Sequence, residues 1–205
     1  PSIPDSERHR KTKKRDLRAS SLFEPHTSSD NTLIANAIDI LFDSRDLHIS
    51  INMMLSVIGA YYNLDRIFIR EYSEDGETSM ITHEWNANRK QSYAARGFTR
   101  SYTRTLLFRG YEQTESDMYH CDNISESADH VRLLNDIFLA DVHSLVQFGI
   151  RFQNHYTGCI NYCTTEKPHN WNSGEIDSLA LLSKLISSYL LHLHSQEKID
   201  YVSQI

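Results

Sequence analysis

The stretch Leu145-Val146-Gln147-Phe148-Gly149-Ile150-Arg151-Phe152-Gln153-Asn154-His155-Tyr156-Thr157-Gly158-Cys159-Ile160-Asn161-Tyr162-Cys163 decides the fold. Residues 145–152 alternate in polarity and residues 159–163 alternate again, so successive side chains turn to opposite faces of a sheet. Residues 154–158 between them have turn chemistry, and the whole reads as an antiparallel hairpin. Pro168 and Asn170 close the strand pair. Asn172 then stands three residues before Glu175, with Trp171 and Ile176 on either side, which is a capping box with a hydrophobic staple. A helix must start there. Ile176, Leu179, Leu182, Ile186, Leu190 and Leu193 carry it forward, and Ile199, Val202 and Ile205 continue it without a Gly or Pro stop. At 1.5 Å per residue, about 30 residues span roughly 45 Å, more than a domain of this size needs.

Upstream, Leu33, Ile34, Ala37, Ile38, Leu41 and Phe42 form a helical stripe with Asp30 or Asn31 as its cap. Leu47, Ile51, Met54, Leu55, Ile58 and Tyr62 form a second, and Asn63 sits where a stop is wanted. Arg66 to Tyr72 is a strand, Asp75-Gly76 lies at the centre of a turn, and Thr78 to Trp85 is a second strand. Residues 86–116 have little periodicity, with only Tyr102, Leu106 and Leu107 hinting at a short helix, and an insertion of that kind reads as a functional loop or lid. Asp117 to Cys121 is a short strand, and Val131, Leu134 and Phe138 mark a short helix. Hairpins in place of strand-helix-strand alternation predict an α+β sandwich. Its antiparallel sheet has about five to six strands, helices on both faces and a long C-terminal helix.

The chain has 205 residues, 40% of them hydrophobic, 10% aromatic and 23% charged, which suits one folded domain with appendages. The formal charge is −6. Residues 1–20 hold seven Lys/Arg against three acids, so the first twenty residues carry +4 and the remaining 185 carry −10. An acidic body is a poor nucleic-acid binder, and the basic run reads as a solvated tail. The start lacks the apolar middle of a signal peptide and no stretch of about 18 consecutive apolar residues exists, so a cytoplasmic chain without membrane insertion is expected. Cys121, Cys159 and Cys163 match no zinc or redox spacing and are expected to be free thiols. His192 and His194, two apart on a helix, point about 200° apart and cannot chelate one ion together. No metal site is expected. Phosphate loop, nucleophile elbow and paired catalytic carboxylates are also missing, and no catalytic residue is singled out.

Several segments together resemble a GAF domain over roughly residues 30–195. They are Leu64-Asp65-Arg66-Ile67-Phe68-Ile69 with its Asp-Gly turn and Glu84-Trp85, then Thr157-Gly158-Cys159-Ile160-Asn161-Tyr162, then Trp171-Asn172-Ser173-Gly174-Glu175-Ile176. The chain is similar in particular to GAF domains of bacterial multidomain signalling proteins that end in a GGDEF diguanylate cyclase, which makes cyclic di-GMP. Residues 196–205 resemble the helical connector before such a cyclase, and residues 1–29 read as a basic linker. The resemblance implies a regulatory small-molecule-sensing and dimerisation domain, not itself an enzyme. It would pair with a second copy through its first and last helices and signal through the C-terminal helix to an absent output domain. Asn135-Asp136-Ile137-Phe138 lacks the lysine and acidic pair of cyclic-nucleotide binders, and His120-Cys121 reverses the order usual at bilin attachment. Two alternatives stand beside the sensor: a ligand-free dimerisation module, and a cysteine-dependent free methionine sulfoxide reductase with Cys121 as nucleophile.

No cofactor is named and the ligand's identity stays open. On strand alternation Phe68, Arg70 and Tyr72 share one face, while Ile67 and Ile69 share the other and should meet the helices. The Arg-bearing face would look toward a pocket of the usual apolar kind with a few polar anchors. Candidate ligand-binding residues are Phe68, Arg70, Tyr72, Trp85, Tyr102, Tyr119, Gln147 and Asn161. Arg70 would meet an anionic group or form an ion pair.

Overall fold

The computed structural model describes residues 27–43, 46–73, 75, 78–87, 92, 99–100, 117–128, 139–153 and 155–203. In chain order these form α1 (Thr27–Asp43), α2 (Leu47–Tyr61), β1 (Arg66–Tyr72), β2 (Thr78–Asn86), β3 (Thr99–Arg100) and β4 (Met118–Cys121). A 3-10 turn (Ile124–Glu126), β5 (Ser144–Phe152), β6 (His155–Thr164) and α3 (Ser173–Ser203) follow. The six strands make one sheet in the order β3-β2-β1-β6-β5-β4, with every neighbouring pair antiparallel. The α+β antiparallel architecture with its long last helix is therefore present. The short helix expected over residues 131–138 and the hint at Tyr102, Leu106 and Leu107 lie outside the described residues.

The helices end where their sequences dictate. At the start of α2, Asp46 takes an extended conformation and its carboxylate accepts the Ile49 N–H at 3.1 Å. At its end Asn63 adopts φ 51°, Leu64 N–H donates to Gly59 C=O at 2.9 Å and Asn63 N–H to Ala60 C=O at 3.4 Å. This is the Schellman arrangement that satisfies the last carbonyls, and Asn tolerates the left-handed conformation better than most residues. The capping box of α3 forms as expected: Glu175 N–H donates to Asn172 Oδ1 at 3.0 Å and Asn172 N–H to Glu175 Oε2 at 3.1 Å. Trp171 is buried and Ile176 packs on the same cluster. α1 begins at Thr27, one turn before the expected cap at Asp30 or Asn31.

One face of the sheet meets all three helices. Ile67, Ile69, Val146, Phe148, Ile150, Ile160 and Tyr162 join Ile51, Met54, Leu55 and Ile58 of α2, Leu33, Ala37 and Leu41 of α1 and Leu179, Leu182, Ile186, Leu190 and Leu193 of α3 in one buried cluster. α2 and α3 lie on the sheet, and α1 packs against both. Over Ser173–Ile199 α3 is long and apolar enough, by length and composition, to cross a membrane. Its buried residues nevertheless recur at spacings of three and four and face the sheet, as in an amphipathic core helix.

Two boundaries differ from the sequence reading. β6 begins at His155, so Tyr156, Thr157 and Gly158 belong to the strand, and Gln153, just after β5, stands at φ 50°. A bulge at Ile150/Arg151 explains the misreading, because Thr157 is an extra residue that interrupts the alternation on which strand recognition depends. The two-residue β3 lies within the segment read as a structureless insertion. Two residues are too few to show periodicity.

Candidate functional site

The face of the sheet away from the helices is arranged in cross-strand rows. Pairing register places Glu84, Phe68, Asn161, Gln147 and Tyr119 in one row from β2 to β4. Ile81, Arg70, Cys159 and Gly149 form the next, and Ser79 and Tyr72 the one beyond. On the other side of the first row lie Arg66, Cys163, Leu145 and Cys121. Neighbouring positions in a row are roughly 5 Å apart, so these side chains share one continuous surface.

That surface divides by chemistry. Phe68, Leu145, Cys163 and Ile81 form an apolar cluster with Ile124 of the 3-10 turn and Leu139 and Val142 of the loop before β5, and Tyr119, Cys121 and Tyr156 pack at its margin. Beside it Arg70, Ser79, Gln147 and Asn161 are each 2% exposed or less. Arg70 Nε donates to Ser79 Oγ at 2.8 Å, Gln147 Nε2 to Asn161 Oδ1 at 2.5 Å, and Asn161 Nδ2 to Cys159 Sγ at 3.4 Å. The Tyr72 hydroxyl lies 3.6 Å from Cys159 Sγ. Burying so many polar groups on one sheet face costs free energy that an apolar core avoids, so each must be held by a partner.

Six of the eight sequence candidates are therefore brought together: Phe68, Arg70, Tyr72, Tyr119, Gln147 and Asn161. Tyr102 lies outside the described residues. Trp85 is the correction. It stands opposite Ile67 on the helical side of β2, packed with the helix-side cluster over Gly59 of α2. A β-carbon at Gly59 would come within 2.6 Å of the indole Cη2, so the glycine makes room for the ring. The aromatic composition around residue 85 suggested a pocket, but the pairing register decides the face. Arg151, another polar strand position, is held at the exposed end of β5 by Asp117 at 2.9 Å and by the Tyr156 hydroxyl at 2.6 Å.

Ser79 and Cys159 belong to the polar rows and were not singled out. Cys159 has the same strand parity as Asn161, which was the available signal. Arg66 was also missed. It is 1% exposed, donates from Nη1 and Nη2 to the two Asp141 carboxylate oxygens at 3.0 Å each, and from Nε to Asn86 Oδ1 at 2.9 Å. This fork ties the start of β1 to the loop that roofs the apolar cluster.

The cysteines do not form a redox pair. Cys121 and Cys163 face Leu145 from either side, roughly 10 Å apart across two strand spacings, and Cys159 is four strand residues from Cys163, roughly 13 Å away. Neither separation is within disulfide reach. Burial pushes the Cys163 thiol far above its ordinary range, so it is not a nucleophile at neutral pH. Among the described residues no three His, Cys, Asp or Glu side chains converge as a metal-ligand set.

No protein-family model matches the sequence, and no curated protein does. Solved structures do match in shape. The GAF domain of an Acinetobacter phosphoenolpyruvate-protein phosphotransferase superposes with TM-score 0.64 at 12% identity, covering 83% of this chain and 98% of that one. The blue-light absorbing form of the Thermosynechococcus elongatus PixJ GAF domain gives 0.62 at 16% identity, over 80% and 95% of the two chains. A phycoerythrobilin-bound GAF domain from a cyanobacterial phytochrome gives 0.65 at 14% identity, over 82% and 97%. At these identities the likeness concerns the backbone, and it shows that the chain has the fold of a GAF domain.

Proposed function

We propose that this chain is the sensory module of a signalling protein and that the buried polar rows on the sheet face away from the helices bind a small molecule. The observation that carries this reading is the set Arg70, Ser79, Gln147 and Asn161, all buried on a face whose apolar half is already sealed by Ile124, Leu139 and Val142. Arg70 would hold an anionic or carbonyl group, the Gln147–Asn161 amides would select its hydrogen-bonding edge, and Phe68, Tyr72 and Tyr119 would supply apolar contact. Two structures of similar fold hold bilins, biliverdin in one and phycoerythrobilin in the other. Those chromophores belong to those proteins, and a ligand other than a bilin is proposed here because His120-Cys121 does not match the attachment order.

The signal would leave through α3. Its last turns expose Ile199 (64%) and Val202 (70%), and Leu181 is 45% exposed on the same helix. Such a surface suits pairing with a second copy along the first and last helices, with residues 196–205 as a connector to an output domain. A diguanylate cyclase is the output we favour, and regulation then means that ligand binding changes how two connectors meet.

The test is a melting comparison in a small-molecule extract of the host cell. Gln147→Leu/Asn161→Leu replaces both partners of the amide–amide bond by apolar groups of similar size, which limits the cost of losing it. The extract should raise the wild-type Tm and leave that of the double variant unchanged. A ligand-free dimerisation module is favoured by one observation, that Gln147 Nε2 already donates to Asn161 Oδ1 at 2.5 Å. It predicts no shift in either protein, with a dimer by light scattering at tens of micromolar.

A further inference from the structure

On the helical side of the sheet, a chain of hydrogen bonds runs through α2, β2, β1 and α3. His48 Nδ1 and His83 Nε2 are 3.0 Å apart with their rings stacked 5.1 Å between centroids. His83 Nδ1 is 3.1 Å from Thr82 Oγ1, whose hydroxyl donates to Glu71 Oε1 at 2.6 Å. The other Glu71 oxygen, Oε2, is 3.0 Å from His194 Nε2, and Glu197 Oε1 is 3.5 Å from His48 Nε2. Thus α3 is fastened twice, by His194 to the sheet and by Glu197 to α2.

Donor counting gives the chain a direction. An ionised carboxylate only accepts, so Thr82 commits its single hydroxyl proton to Glu71 and must accept from His83 Nδ1–H. A neutral His83 then offers its Nε2 lone pair, and His48 Nδ1–H must donate to it. With Nδ1–H so committed, a protonated His48 places its remaining N–H and its positive charge at Glu197, while a protonated His194 does the same at Glu71. Among the described residues, the charged groups acting on His83 are His48, Glu71 and His194, and those acting on His194 are Glu71, Glu197 and Lys198.

We propose that His48, His83 and His194, with Glu71 and Glu197, form a proton-operated clasp that holds the C-terminal helix α3 against β1 and α2 and loosens when His194 loses its proton as pH rises through the neutral range. This deepens the signalling reading by assigning a regulator, the proton, to the helix, and it holds whether or not the sheet face away from the helices takes a ligand. Imidazoles change charge between about pH 5 and 8, which puts the clasp in a physiological range. The hydrogen bond to Glu71 raises the His194 pKa against an opposing effect of burial, which widens the closed range upward. Burial and the nearby His48 hold His83 down to about 4, so it stays the neutral acceptor of the chain across the neutral range.

Hydrogen exchange of the full chain at pH 6.0 and 8.5, corrected for intrinsic rates and read on peptides within residues 190–203, tests this. The His194–Glu71 bond is a partly exposed ion pair, for which about threefold in opening equilibrium is expected, so its loss should lower protection about threefold from the lower to the higher pH. His48→Gln/His194→Gln should abolish that ratio, and His192→Gln, an exposed ring bonded to Gln196 on the same helix, should keep it. Equal corrected protection of wild-type α3 at the two pH values would overturn the proposal, whether or not the variants fold. So would a double variant that keeps the wild-type ratio.

Discussion

Gly158 is the position at which one methyl group should do most damage. It pairs with Glu71 across the β1–β6 ladder and, on the other side, with Ile150 of β5 at the bulge. An added β-carbon would overlap the Arg70 carbonyl oxygen and stand 3.2 Å from Glu71 Cα and 3.3 Å from the Arg70 carbonyl carbon. All three are main-chain atoms in a central strand pair, so no side-chain rotation relieves the contact and the strands must part. Overpacking of this kind costs about 1–3 kcal/mol, and two weakened ladder hydrogen bonds add roughly 0.5–1.5 kcal/mol each. The lower unfolded-state entropy of alanine returns about 0.5–1 kcal/mol, leaving a net loss of roughly 3 kcal/mol. For a domain of this size that lowers Tm by about 10 °C. Urea melts of Gly158→Ala followed by far-UV circular dichroism measure the loss directly. Gly174→Ala is the control, because its nearest atom at 3.3 Å is the side-chain oxygen of Asn172 and it lies in the first turn of a helix. A loss under 1 kcal/mol for Gly158→Ala would refute the close approach of β6 to β1, and with it the register that puts Arg70 beside Cys159.

Three further outcomes follow from the same contacts. Asp141→Ala leaves the buried Arg66 guanidinium without its fork and should cost about 2–4 kcal/mol in urea melts, while adding Arg66→Met should recover much of it; a single-variant loss under 1 kcal/mol would show the pair to be superficial. Asn172→Ala removes the cap of α3 and should cost about 1 kcal/mol, with the first-turn amides exchanging faster and the rest of the helix unchanged. His83 gives the pH dependence: its folded pKa of about 4 lies below the ordinary 6.5, so the unfolded chain binds a proton that the folded one refuses. Stability from this group is full above pH 6.5 and falls as pH drops toward 4, by up to about 3 kcal/mol. His83→Gln should remove that share of the slope between pH 6.5 and 4.5, and an unchanged slope would mean that His83 titrates normally.

Much of the architecture was legible because it rests on rules of short range. The α3 cap is a three-residue spacing, the stop of α2 is one asparagine, and the sorting of Ile67 and Ile69 from Phe68, Arg70 and Tyr72 is strand parity alone. What parity cannot see is pairing. The bulge at Ile69/Arg70 opposite His83/Ile81 makes Thr82 an extra residue and resets β2, so Ser79 and Ile81 share the face of Glu84 and Asn86 while Trp85 falls with His83 on the helical side. The Thr157 bulge likewise disguised the first residues of β6 as a turn. The site shows the same limit: Gln147 and Asn161 were readable as polar strand positions, but their bond to one another and the company of Ser79 and Cys159 depend on register. The histidine chain depends on residues up to 149 positions apart, His48 and Glu197, and no local pattern announces it.

The most direct test of the sensory reading is a native mass spectrum of the full chain purified without denaturant, beside that of Gln147→Leu/Asn161→Leu. The account predicts a small-molecule mass retained on the wild-type chain and lost from the double variant, with both proteins folded. Bare protein mass in both spectra, or a retained mass that survives the substitutions, would contradict the assignment of the buried polar rows as the ligand site.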